Sequence, residues 1–316
     1  MLVSRRILAQ RTRRVQSLIL CDLCEIQHYN HTMTILELLQ KTTAYLEKTG
    51  VPNPRLDTEL LLGHALHLKR MEIYLQFERK LTGQELDALR PMVKRRAARE
   101  PLQHIMGTVD FCGLELVVSR QVLIPRPETE ILVQTAIDII GRESYSTILD
   151  LGTGSGAIAL AVTKTCPTVA CLATDISEEA LTLARVNAEK HGLSHRVNFR
   201  CGNLFGCLAA GEMFDLILSN PPYIPSGEIP KLQPEVQHDP PQSLDGGVDG
   251  LDFIRRLISE AGRFLNGGGR LVFEIGHDQA EQVQALLEAQ GWSGIVFAKD
   301  LQGFPRVVHA HPDDRG

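Results

Sequence analysis

The sequence predicts a mostly parallel, doubly wound α/β domain, preceded by a small helical bundle and joined to it by a β-hairpin connector. Three observations carry that prediction. From residue 33 to about 99, apolar residues recur at helical spacing with no strand-like alternation. From residue 147 onward, short apolar runs alternate with helical stretches, as in a sheet built from crossover units. The first of those runs, Thr147-Ile148-Leu149-Asp150-Leu151, passes directly into Gly152-Thr153-Gly154-Ser155-Gly156 and then a helix.

Composition narrows the class. The 316 residues are 43% hydrophobic and 22% charged, ordinary for a globular protein. No apolar run of about 18 residues occurs, so no membrane span is expected. A formal net charge of −5 gives no support to a broad nucleic-acid-binding surface. The seven cysteines, at 21, 24, 112, 166, 171, 201 and 207, are odd in number and scattered. That pattern suggests free thiols in a reducing compartment, and cytoplasmic residence is expected.

Residues 1–32 read as an extension. Five arginines precede the first acidic residue, Asp22, which resembles an organellar transit peptide. A start assigned too early is the preferred reading, because Met33 directly precedes a well-formed helix signal. Cys21, Cys24, His28 and His31 invite a zinc reading, but the central gap is far shorter than a zinc finger's loop. No metal is expected.

Residues 33–100 form the expected helical domain. Thr34 and Glu37 make a capping box for a helix carrying Ile35, Leu38, Leu39 and Leu46. Gly50 to Pro54 ends it, and a second helix carries Leu56, Leu60, Leu61 and Ala65. Shorter helices follow, four or five in all. The last holds Arg90, Lys94, Arg95, Arg96 and Arg99, read either as a solvated face or as a dock for an acidic or RNA-associated partner. In the connector, residues 101–125, Phe111–Leu116 and Gln121–Ile124 read as the two strands of a hairpin. Residues 126–316 are the α/β domain. Its first helix opens at Pro127, with Glu128 and Glu130 beside its positive end.

In that domain the second strand, Val169–Thr174, ends in Asp175, one helix and one strand beyond Gly156. A carboxylate there can accept hydrogen bonds from both ribose hydroxyls of an adenosine. Residue types alone leave NAD and S-adenosylmethionine in competition. The methyl donor is favoured because the loop is Asp-x-Gly-x-Gly-x-Gly, and because no second mononucleotide half with its own glycine turn follows. A helix at Glu178–Lys190 and a strand at Val197–Cys201 come next. The apolar run Phe214–Leu218 then stops at Ser219-Asn220-Pro221-Pro222-Tyr223, because proline has no backbone donor. By itself Asn-Pro-Pro is equally well a stiff turn. A helix at 251–265, a strand at 270–275, a helix at 278–289 and closing strands at 294–299 and 306–310 complete the reading.

Taken together, the glycine loop, Asp175 and Asn220-Pro221-Pro222-Tyr223 resemble a class I methyltransferase, Rossmann-like in fold, acting on a planar amino nitrogen. Pro101–Gly107, Leu123–Glu130 and Gly246–Leu251 are similar to the release factor glutamine methyltransferases, the HemK/PrmC family, and the likeness spans about Met33 to Ala310. The resemblance implies N5 methylation of the glutamine in the Gly-Gly-Gln motif of class I peptide chain release factors. It implies S-adenosyl-L-methionine as cofactor, a front domain that helps hold the protein substrate, and a monomer. Carried over by motif, Gly152, Thr153, Gly154, Ser155, Gly156 and Asp175 would bind the cofactor. Asn220 would contact cofactor and substrate, and Pro221, Pro222 and Tyr223 would complete the substrate pocket. Asn220, Pro221 and Tyr223 are the expected catalytic residues. After Cys201 many family members carry an acidic residue followed by an aromatic or aliphatic one. Here Asn203-Leu204 stands instead, with the Asn203 oxygen still able to accept from the adenine amino group.

These residue types suit amide methylation. The Asn220 side-chain oxygen and the Pro221 carbonyl could each accept one amide N–H, orienting the nitrogen for in-line transfer. Tyr223 would offer a flat wall to the planar amide. Arg126 and Glu128 are read as supporting residues outside the chemistry. Two rivals remain at this stage: an adenine-N6 methyltransferase of DNA or RNA, whose target is also a conjugated amine, and a non-enzymatic module that escorts release factors.

Overall fold

The computed structural model describes residues 33–313. The chain divides into two compact units between Met106 and Gly107. Both the fold class and the order of its parts are as the sequence predicts. The residue 1–32 readings, including Cys21, Cys24, His28 and His31, lie outside the described residues.

The first unit holds helices α1 (Ile35–Lys48), α2 (Pro54–Leu66), α3 (Arg70–Leu75), α4 (Gly83–Ala97) and α5 (Leu102–Met106). At the head of α1 the Glu37 N–H donates to Thr34 Oγ1 at 3.2 Å, and the Thr34 N–H to Glu37 Oε2 at 2.9 Å, the expected capping box. Ile35, Leu39, Leu46, Leu61, Leu62 and Ile73 form the centre of the bundle core. The basic run on α4 is partly engaged within its own unit. Arg96 is buried, paired with Asp57 at 2.7 Å and donating to the Glu100 carbonyl at 3.1 Å. Arg95 makes a two-pronged contact with Glu100 at 2.9 and 2.8 Å, and Arg90 pairs with Asp87. Arg90, Arg95 and Arg96 thus have ion-pair partners within the unit, while Lys94 and Arg95 stay exposed.

The second unit begins with strands β1 (Thr108–Phe111) and β2 (Leu114–Val117), paired antiparallel with Phe111 opposite Leu114. The expected strand at Gln121–Ile124 does not form, and the expected strand Phe111–Leu116 is folded in half. Cys112 and Gly113 both take positive φ, 47° and 72°, as a two-residue type I′ turn requires. The Cys112 N–H donates to Glu130 Oε1 at 2.9 Å, holding that turn against the next helix.

Helix α6 (Thr129–Glu143) leads into a seven-stranded sheet. Its members are β3 (Thr147–Leu151), β4 (Ala170–Asp175), β5 (Val197–Cys201), β6 (Phe214–Ser219), β7 (Leu265–Glu274), β8 (Trp292–Lys299) and β9 (Pro305–Pro312), in the order β5-β4-β3-β6-β7-β9-β8. The first five run parallel, while β9 is antiparallel to both β7 and β8. Strand β7 begins at Leu265, ahead of the expected Arg270, and carries Gly267-Gly268-Gly269 inside it, where the pairing with β6 shifts register.

Alternation along the strands divides the core in two. Ile148, Leu216, Leu218 and Val272 pack with α6, α7 (Ala157–Thr165) and the Ala188 end of α8 (Glu178–Lys190). Leu149, Leu151, Ile217 and Phe273 pack with α9 (Asp252–Ala261) and α10 (Ala280–Ala289). This doubly wound arrangement brings the carboxyl ends of β4, β3 and β6 side by side, with Leu151 opposite both Thr174 and Ser219. Such an edge is where ligands bind in open α/β sheets.

Candidate active site

A cleft of about 560 Å³ lies over those three strand ends, within the size range of small-molecule sites. Gly152 and Gly154, Asp175, Asn203, Leu204, Asn220, Pro221 and Pro222 all line it. Positions well separated in sequence thus meet because parallel strands end at a common edge.

The glycine loop is held from below. Asp150 Oδ2 accepts from the Thr153 hydroxyl at 2.6 Å and from the Ala159 N–H at 3.2 Å, while its Oδ1 is buried with no partner among the described residues. Burial carries the Asp150 carboxyl up to about 7, against the pull of the Thr153 and Ala159 bonds. The buried Asn187 amide donates to the Ser155 carbonyl at 2.9 Å and to the Val117 carbonyl at 3.0 Å, joining loop to hairpin. Thr153, Ser155 and Gly156 therefore shape the loop from behind; the structure does not bring them to the cleft. Gly152 and Gly154 face it with φ of 72° and 55°, and a Cβ built on either would meet nothing within 4 Å. That open cradle allows close backbone approach by a ligand.

Asp175, at the tip of β4, accepts from the Gly154 N–H and the Ser177 N–H, each at 2.9 Å. A carboxylate keeps acceptor capacity beyond two such bonds, as ribose hydroxyls would need. Across the cleft, Leu204 adopts φ of 51°, rare for a bulky residue and concentrated at ligand sites. Beside it, Arg256 Nη1 donates to Asn203 Oδ1 at 3.5 Å. The open glycine face, the carboxylate with spare acceptor positions and the cleft volume fit an adenosine-bearing methyl donor.

On the other side, Asn220 ends β6. Its Nδ2 donates to Thr129 Oγ1 at 3.0 Å, and the Thr129 hydroxyl donates to Glu274 Oε2 at 2.7 Å. Tyr223 does not lie on the cleft. Its hydroxyl donates to Glu274 Oε1 at 3.0 Å and its ring packs against the core. Burial and the neighbouring Glu274 carboxylate push the phenol far above its usual range. The flat wall expected of Tyr223 is thus absent from the cleft lining, its hydroxyl being held by Glu274 instead.

Sequence reading missed the residues that clamp this turn. Gln279 Nε2 donates to the Tyr223 carbonyl at 3.0 Å and to the Gly250 carbonyl at 3.3 Å. Buried Asp239, in the loop after Tyr223, pairs with Arg126 and accepts from the Ile124 N–H at 3.4 Å. Glu274 did leave a trace, as a carboxylate closing the apolar run Leu271-Val272-Phe273. Among the described residues no cluster of three or more His, Cys, Asp or Glu could hold a metal, and no helix is long and apolar enough to cross a membrane.

A glycine loop, the Asp175 carboxylate and Asn220, brought together at the strand ends of a Rossmann-like sheet, fit an S-adenosylmethionine-dependent methyltransferase. Two family descriptions match: the PrmC N-terminal domain over residues 37–107, and the methyltransferase small domain over residues 127–232. A release factor glutamine methyltransferase of Geobacter sulfurreducens is 45% identical over 276 residues, covering 87% of this chain and 95% of the relative. Its counterpart in Deinococcus radiodurans is 41% identical over 279 residues, covering 88% and 98%. The chain belongs to the release factor glutamine methyltransferase (PrmC/HemK) family. Among solved structures, the hMettl16 catalytic domain in complex with MAT2A 3′UTR hairpin 6 shares the fold. The TM-score is 0.54 at 18% identity, covering 71% of this chain and 83% of that one.

Proposed function

We propose that this enzyme methylates the N5 side-chain nitrogen of the glutamine in the Gly-Gly-Gln motif of class I peptide chain release factors. Family membership supports the substrate class, and one observation carries the chemistry: Asn220 stands at the β6 end with its Nδ2 turned to Thr129. Neither Asn220 Oδ1 nor the Pro221 carbonyl accepts a hydrogen bond from another described residue.

An amide nitrogen is a poor nucleophile with two good N–H donors. Asn220 Oδ1 and the Pro221 carbonyl each take one, fixing the nitrogen's direction, and Pro222 walls the pocket beside them. Gly152, Gly154, Asp175, Asn203 and Leu204 hold the donor on the opposite side. When bound, S-adenosylmethionine supplies a sulfonium methyl for in-line displacement by that nitrogen. Positioning is the main demand, because the proton can leave after transfer. Tyr223 acts from beneath, through Glu274. The front unit holds the protein substrate, and the enzyme works in the cytoplasm, where its substrates act.

Purified release factor, DNA and RNA, each incubated with the enzyme and radiolabelled donor, test this directly. Label should enter release factor alone and vanish when the Gly-Gly-Gln glutamine is changed to Ala; label in nucleic acid would revive the adenine reading. Asn220→Ala should leave donor binding measurable but cut turnover by about 10²–10³, the scale of a lost preorganised hydrogen bond. A near wild-type kcat in that variant contradicts the mechanism.

A further inference from the structure

An asparagine amide can face its site with either end, and for this substrate only one end works. The glutamine nitrogen offers donors, so Asn220 must present its oxygen; the reversed amide would set donor against donor. Something must choose between two orientations of almost the same shape.

The choice is made behind the strand. Glu274, at the end of β7, is buried at 1% exposure, and Thr129, at the first position of α6, at 3%. An ionised carboxylate is only an acceptor. Glu274 Oε1 is taken by the Tyr223 hydroxyl, and Oε2 by the Thr129 hydroxyl. A threonine hydroxyl has a single proton, and here it is spent on Glu274. Thr129 Oγ1 can then only accept from Asn220, which fixes Nδ2 inward and Oδ1 outward. Burial pushes the Glu274 carboxyl up, and the bonds from Thr129 and Tyr223 oppose that rise.

We infer that Thr129 and Glu274 are positioning residues that fix the amide of Asn220 so that its oxygen meets the substrate nitrogen. The inference rests on the reading of Asn220 given above. It also gives Tyr223 its part: with its hydroxyl on Oε1, it leaves Oε2 to Thr129.

A substitution series in the full-length enzyme tests the relay. Glu274→Gln puts an amide where the carboxylate was, so the chain of hydrogen bonds can run backwards and turn the Asn220 amide around. Thr129→Val removes the hydroxyl at nearly constant shape, and Thr129→Ser restores it. We expect Glu274→Gln and Thr129→Val to lower kcat by about 10- to 100-fold, as for a lost orienting interaction, with donor affinity by calorimetry within about twofold. Thr129→Ser should stay within about threefold of wild type. Adding Thr129→Val to Asn220→Ala should cost nothing further, because the relay acts only through Asn220. The inference is overturned if Thr129→Val and Thr129→Ser are equally active, or if the losses in kcat are matched by losses in donor affinity. Additive losses in the double variant overturn it as well, and that comparison stands even if Glu274→Gln fails to fold. Should Asn220→Ala itself keep its turnover, the fault lies with the reading of Asn220; should only Thr129 and Glu274 prove silent, the relay alone falls.

Discussion

Asp215, far from the chemistry at the opposite end of β6 from Asn220, shows what a single carboxylate does for the sheet. Burial pushes its pKa up, but donations from the Ser146 N–H, the Thr147 N–H, Asn266 Nδ2 and the Thr147 hydroxyl outweigh that and carry it down to about 2. Three of those bonds are 2.9 Å long and the Asn266 bond is 2.7 Å, so β3, β6 and β7 are tied at one point. A depressed carboxylate contributes stability above its ordinary value of 3.8 and loses it as pH falls through about 2. Asp215→Asn should cost about 1–3 kcal/mol at pH 7 by urea unfolding. The gap between variant and wild type should close toward pH 2, and equal stability at pH 7 would contradict the assignment.

Loops and strand ends matter most at the next scale. The turn Asn220–Tyr223 keeps its place because Ile224 pairs with the returning segment: its N–H donates to the Leu244 carbonyl, and its carbonyl accepts from Gly246. Gly250 closes this clamp with φ of 77°, and a Cβ there would lie 2.3 Å from the Tyr223 carbonyl oxygen. Both the backbone angle and the contact exclude a side chain. Gly250→Ala should therefore displace the Asn220 turn, lowering stability by about 1–3 kcal/mol and turnover more than tenfold. Donor affinity, which we propose is set across the cleft by Asp175 and the glycine loop, should change far less. Calorimetric donor binding beside steady-state rates would show the split, and equal losses in both would refute it.

Taken as a whole molecule, the chain is two units with separate cores. The Arg96–Asp57 pair is the buried ionic link of the first, and removing one partner of such a pair leaves a charge without compensation. Arg96→Ala should cost the helical unit about 3–5 kcal/mol. Scanning calorimetry of the full chain should show that unit unfolding earlier, with donor affinity unchanged because none of the residues proposed to hold the donor belongs to it. A single unshifted transition would argue against this assignment.

Legibility followed the range of the physical cause. Capping at Thr34, the glycine loop and the strand ending at Asn220 depend on near neighbours in the chain, so periodicity and turn chemistry exposed them. The hairpin was misread because apolar residues run through Cys112-Gly113 without a break, and the positive φ at that turn leaves only a weak mark. The arginines of α4 looked like a free basic face because Asp57, the partner of Arg96, belongs to a different helix, α2. Nothing local says that Tyr223 turns from the cleft, or that Thr129 and Glu274, 145 residues apart in sequence, meet behind Asn220.

By itself, then, the sequence determined the fold class, the glycine loop, the Asp175 carboxylate at a strand end and the asparagine expected to face the substrate. Each is written in short-range pattern or in a motif whose spacing the chemistry demands. Only the tertiary structure decided which of those residues reach the cleft and which way the Asn220 amide points. An amide's two ends are nearly identical in shape, and only a fixed donor and acceptor brought from distant strands and helices can tell them apart.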